Sequence, residues 1–179
     1  DELASRFGVD GVRYYALSEM PYANDGSITY ENIINRFNTD LANNLGNLVN
    51  RTVAMTKKYF DGVIPAPCGD EGVDSELKSV VSTSITKFCE LMDDFRLSEA
   101  AEAVFDMLSR ANKYIDETTP WTLAKDESLK GRLGTVLYNL LEVIRIGAVL
   151  LTPCIPATCE EIFKQIGTEI TDYASIEGF

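Results

Sequence analysis

Apolar residues recur at threes and fours along most of the chain, and no segment alternates at period two for more than a few residues. The first stretch, Asp1 to about Met20, reads as one or two short helices broken at Gly8 to Gly11, with Phe7, Val9, Val12, Tyr15 and Ala16 as its apolar positions. Pro21, Asn24, Asp25 and Gly26 then mark a turn. A long helix of about eight turns starts near Thr29, its apolar positions being Ile34, Phe37, Leu41, Leu45, Leu48, Met55 and Tyr59. The Gly- and Pro-rich run from Asp61 to Gly72 is expected to be irregular. Asp74 is a candidate cap for the next helix, which carries Leu77, Val80, Val81, Ile85, Phe88, Leu91 and Met92. Ser98 is a candidate cap for another, running through Ala101, Val104, Phe105, Leu108 and Ile115 until Pro120 forbids the helical conformation at Thr119. From about Lys130 to Leu151 the chain is almost continuously apolar after Val136, interrupted mainly by Glu142 and Arg145, which predicts a helix in the middle of a bundle. Pro153 and Pro156 turn the chain into a last short helix ending at Gly167, and the tail to Phe179 has no usable pattern. The expected fold is all-α: an antiparallel helical bundle preceded by a small helical appendage.

Composition narrows what such a bundle can do. With 179 residues, 45% apolar and 25% charged, the chain can bury one proper core with a small addition. No apolar run of the ~18 residues needed to cross a bilayer stands out, nor does an export signal, so no membrane partner is expected. The opening at Asp1 without an initiator Met is the start expected of a piece of a longer protein. His is absent and the four cysteines, Cys68, Cys89, Cys154 and Cys159, form no C-x-x-C pair, so no zinc site is expected. Free thiols in a reducing cytoplasm are the natural reading, with Cys154 and Cys159 buried. Without His the usual general base and nucleophile partner are missing. A formal net charge of -12 speaks against broad binding to DNA or any nucleic acid through phosphates. A nucleic acid would have to be held locally and through its bases.

The glycines at Gly8 to Gly11 lack the strand-then-helix context of a phosphate cradle. Asp93 with Asp94, and Glu160 with Glu161, are adjacent and point to different sides of a helix, as solvated residues do. The long helix says more. At ~100° per residue with Leu48 at zero, Ile34, Phe37, Leu41, Leu45, Met55 and Tyr59 fall within about 60° of it, while Arg36, Asp40, Asn47, Arg51 and Lys58 form a flank roughly 60 to 120° away. Asn47 and Arg51 therefore stand side by side on the border between core and solvent. Spacing alone favours a polar flank over a recognition patch, although an amide and a planar guanidinium are well suited to reading or stacking on bases. Trp121, the one tryptophan, has a similar ambiguity. Pattern alone makes it a partly buried core plug, whereas Thr118, Thr119 and Pro120 form a stiff corner that could hold the indole outward as a stacking platform.

The order of "DELASRFGVDGVRYYAL", "DGSITYENIINRFNTDLANNLGNLVNR", "FDGV" and "ANKYIDETTPWTLAK" resembles, over nearly the whole chain, the C-terminal region of the methionyl-tRNA synthetases, class I aminoacyl-tRNA synthetases. Sister class I enzymes for valine, isoleucine, leucine and cysteine carry a similar bundle, and a non-RNA helical scaffold is a further alternative. The resemblance implies a stem-contact segment over residues 1–27, an anticodon-binding bundle over 28–167 and a tail over 168–179. It implies a tRNA partner with the anticodon CAU, contacted by Asn47 and Arg51 of "NLVNR" and by Trp121, with Pro120 shaping the corner. Lys57, Lys58, Lys113 and Lys125 are nominated for nearby phosphates. The same resemblance places the catalytic domain, with its ATP and Mg chemistry and a Zn-bearing insertion, in cis before Asp1, so that this stretch has no catalytic residues or cofactor of its own.

Overall fold

The most apolar segment of the chain lies in the middle of the structure. In a computed structural model, which describes residues 2–19 and 28–176, helix α7 (Lys130–Leu151) is surrounded by α3 (Asn47–Phe60), α4 (Gly72–Asp93), α5 (Leu97–Thr118) and α8 (Pro156–Ile166). Leu137, Leu140, Ile144 and Ile146 of α7 are fully buried. Gly147 permits the close approach of α5, since a Cβ there would stand 2.9 Å from Leu108 Cδ2. By length and composition the segment Glu127–Leu151 could cross a membrane, contrary to the reading that no run suffices, but 89% of its apolar window is buried inside this protein. A helix enclosed on all sides needs no polar face, and its neighbours carry the polar surface instead.

The remaining elements are α1 (Glu2–Glu19), α2 (Tyr30–Arg36), a π-helical stretch (Phe37–Gly46) leading into α3, a one-turn α6 (Pro120–Leu123), and 3-10 turns at Glu127–Leu129 and Tyr173–Ile176. Among the described residues there is no strand, as the periodicity predicts. The turn expected at Pro21, Asn24, Asp25 and Gly26 lies outside the described residues.

Several local expectations need correction. The long helix is continuous from Tyr30 to Phe60 but contains ten π-helical residues. A turn closed by i→i+5 bonds advances each residue through a smaller angle than an α-turn, so the register before the stretch is rotated against the register after it. Ile34, expected in the core stripe, is accordingly 44% exposed, and Ile33 is buried in its place. Asp40, expected on the polar flank, is buried, where it accepts hydrogen bonds from the Tyr14 hydroxyl at 2.7 Å and from Arg36 at 3.1 Å. Asp74 does help cap α4, but from the third position of the helix rather than as the N-cap residue: in a capping box with Glu71 it accepts from the Glu71 backbone N–H at 2.7 Å. Ser98 does not cap α5, which starts at Leu97; its hydroxyl donates instead to the Ser18 carbonyl at 2.6 Å.

Helix α1 is bent at Gly8, whose φ of 74° and ψ of 161° suit a residue without a side chain. Beyond the bend it is tied into the bundle: Arg13 donates to the carbonyls of Pro153 and Cys154 at 2.8 and 3.2 Å, and Asp10 accepts from the Thr158 N–H at 2.6 Å. Around the bend its cover is incomplete. Val9 is 64% exposed, and Phe7 and Val12 are partly buried. Phe7 and Val9 line an open groove of about 850 Å³ together with Leu41 and Ile162. The tail also has a place. Ile176 is buried, and Arg145 of α7 donates to the Ile170 and Ser175 carbonyls at 3.3 and 3.0 Å.

Candidate functional site

The end of α5 is held by its own side chains before the chain turns. Thr118 Oγ1 donates to the Tyr114 carbonyl at 2.7 Å, and the Thr119 N–H to the Ile115 carbonyl at 3.0 Å. Thr119 then adopts φ 42° and ψ 62°. Pro120 keeps it out of the right-handed helical region, as expected, yet the chain enters the left-handed region, where a β-branched residue costs on the order of 1–3 kcal/mol. The strain is held in place because Pro120, the first residue of α6, is buried, and Leu123 and Ala124 pack against the core. Trp121 therefore faces away from the anchored side of a one-turn helix and is 42% exposed. The indole is outward in the free protein rather than serving as a core plug.

Asn47 and Arg51 occupy the first turns of α3. Asn47 is exposed and Arg51 is half-buried. Arg51 donates to Asp116 Oδ1 at 3.0 Å, which joins α3 to α5 four residues before Pro120. The structure thus brings Arg51 to the turn that leads into the Trp121 corner, although no direct hydrogen bond among the described residues joins Trp121 to Arg51 or Asn47. Of the nominated cations, Lys57 and Lys125 are exposed, Lys58 lies 5.2 Å from the centre of the Tyr59 ring, and Lys113 is paired with Glu117 at 3.4 Å. Lys57 and Lys58 fall in the last turn of α3, where the helix dipole favours positive charge.

Sequence reasoning missed three residues at this place. Asp116 meets Arg51, and Asn112, one turn earlier on α5, meets Asn44 of the π-helical stretch through bonds of 3.0 and 3.2 Å. Their i, i+4 spacing on α5 was a usable signal of a shared polar face. Nothing local says which helix that face meets.

On another side of α5 the Tyr114 hydroxyl enters a buried junction. It donates to Asp74 Oδ1, while Arg132 of α7 grips the same carboxylate with two bonds of 2.6 and 3.0 Å. Burial pushes the Asp74 carboxyl up, but hydrogen bonds from Arg132, the Glu71 N–H and Tyr114 outweigh it and hold the group below its ordinary value. Burial, reinforced by Asp74, raises Tyr114 far above a free tyrosine, so it remains a donor. The cysteines are free thiols, and burial pushes Cys159 up to about 12, which leaves it inert. Among the described residues no group of three His, Cys, Asp or Glu is placed to hold a metal ion. What these described residues offer is an exposed ring at the corner and, on α3, an exposed amide and a half-buried guanidinium.

Residues 64–177 match a family model described as the anticodon binding domain of methionyl tRNA ligase, and residues 1–53 match one described as tRNA synthetases class I (M). The methionine–tRNA ligase of Caldanaerobacter subterraneus subsp. tengcongensis is 49% identical over 178 residues, 98% of this chain and 28% of that protein. That of Clostridium perfringens is 49% identical over 99% of this chain and 27% of its own length. Among solved structures, the apo methionyl-tRNA synthetase of Mycobacterium tuberculosis superposes with a TM-score of 0.93 at 37% identity, over 98% of this chain and 36% of that one. The same enzyme in complex with methionyl-adenylate also gives 0.93, over 35% of its chain. The chain spans under a third of the length of these curated relatives.

Proposed function

The chain belongs to the methionyl-tRNA synthetase family, and from that premise we propose that its bundle binds the anticodon loop of a methionine tRNA and selects the sequence CAU. Trp121 stacks on one anticodon base, with Pro120 setting the corner, and Asn47 and Arg51 hydrogen-bond to or stack on others. The observation that carries this reading is the outward indole on a strained, buried-proline corner, next to the turn that holds Arg51 through Asp116. The acidic charge of -12 fits it: affinity is concentrated in a few splayed bases and a few phosphates rather than in a broad basic face.

In the full-length protein the bundle, residues 28–167, serves a methionine–tRNA ligase that uses ATP with Mg in a catalytic domain in cis, forms methionyl-adenylate, and works in the cytoplasm. Residues 1–27 form the stem-contact segment between that domain and the bundle, and residues 168–179 a tail. The order of the two family matches along the chain, the class I synthetase model over residues 1–53 and the anticodon-binding model over residues 64–177, fits this arrangement.

Because Trp121 is the sole tryptophan, its fluorescence reports the contact directly. Titration with a CAU anticodon stem-loop is expected to quench it, and Trp121→Ala should weaken binding by about 1–3 kcal/mol. Equal affinities of the wild type and Trp121→Ala would sink the role of the ring, and indifference to a swapped anticodon would sink the methionine assignment.

A further inference from the structure

Asn47 and Arg51 lie on α3 immediately after the π-helical stretch, so their direction depends on how that stretch is rotated against α5, which leads to the Trp121 corner. A run of ten π-helical residues does not fix this by itself. The π form occurs mostly as single turns, and a slip toward α-helical bonding would swing every following side chain around the axis. The structure holds the rotation with a pair of amides at the end of the stretch. Asn44 Nδ2 donates to the Phe105 carbonyl at 3.0 Å and to Ser109 Oγ at 2.8 Å. Asn112 Nδ2 donates back to Asn44 Oδ1 at 3.0 Å and to the Asn44 backbone carbonyl at 3.2 Å. The Asn47 N–H donates to that same carbonyl, as well as to the carbonyl of Ala42. Asn112 therefore grips the backbone atom to which Asn47 itself is bonded.

We propose that Asn112, with Asn44, is a positioning pair that fixes the rotational register of Asn47 and Arg51 relative to the Trp121 corner, and so sets anticodon discrimination without touching RNA. Both amides are needed because each supplies what the other lacks: Asn44 anchors the stretch to α5 at Phe105 and Ser109, and Asn112 locks the junction one turn further on. The exposed Arg51–Asp116 pair lies further along the same two helices and is not part of this lock. This inference rests on the anticodon reading above.

The test is the affinity of the full-length protein for CAU and anticodon-swapped stem-loops, with melting temperatures alongside. Asn112→Ala should weaken CAU binding about tenfold while changing binding of the swapped loop less than about twofold. Asn112→Asp, which keeps the shape but loses the donor, should behave in the same way. Adding Asn112→Ala to an Asn47→Ala, Arg51→Ala background should cost little more, because the pair acts through those residues. Two outcomes overturn the inference while leaving the anticodon reading intact: a wild type that discriminates and an Asn112→Ala that matches it, or an Asn112→Ala that weakens both loops equally as it melts earlier. A wild type that does not discriminate overturns both.

Discussion

Tyr114 and Asp116 stand two residues apart on α5, face different sides of it, and enter two kinds of charged junction. Asp74 on the Tyr114 side is fully buried and takes two bonds from Arg132, one from Tyr114 and one from the Glu71 N–H. Asp116 is 68% exposed and has one bond to Arg51. A buried, fully satisfied carboxylate is costly to disturb, because any change leaves a charge or donor without a partner. An exposed single pair is screened by water and holds its members loosely enough to be exchanged for a ligand. One helix therefore carries both kinds of junction: one face fixes α5 against α4 and α7, and another holds Arg51 by a single exposed pair.

The largest effect that could break this comparison is Arg132→Ala. It strands the Asp74 charge in the core and should destabilise the protein by about 3–5 kcal/mol in urea denaturation. A loss under about 1 kcal/mol would place the Asp74 junction with the surface pairs.

Acid should act on the same junction. The folded value of Asp74 lies below that of a free carboxyl, so its contribution is complete above the ordinary carboxylate range, about 3.9, and is lost as pH falls through the folded value. The melting temperature should hold from pH 7 to about 5 and drop below about 4, and Asp74→Asn should flatten that acid limb. An unchanged acid limb in Asp74→Asn would mean that other carboxylates carry it.

The smallest effect belongs to Asp116→Asn, which should change stability by no more than about 0.5 kcal/mol and should not weaken binding of the CAU loop. A loss above about 2 kcal/mol would show that the exposed pair is structural after all and would erase the distinction.

Much of this arrangement was legible along the chain. The bounds of α7 at Lys130 and Leu151, the end of α8 before Gly167 and the interruption at Pro120 all follow from local signals. The π-helical stretch was not legible, because ten residues of apolar spacing satisfy an α-turn nearly as well as a wider one; Ile34 was misplaced for that reason. Asp40 was misread as a flank residue because its partner, Tyr14, lies 26 positions away. Ser98 resembles a cap, but α5 already starts at Leu97, and the hydroxyl donates instead to the Ser18 carbonyl at the end of α1. At the candidate site the residue types of Asn47, Arg51 and Trp121 were visible, but the ring's direction and the Asp116 and Asn112 partners were not.

By itself the sequence determined the helical class, the buried central helix and a corner carrying the one tryptophan, because periodicity and a proline act through the local backbone. Only the tertiary structure decided how α3 is rotated, which carboxylates are buried and where the indole points. Those outcomes depend on side chains that meet from distant positions, and the free energy of burying a charge is set by the partner that arrives.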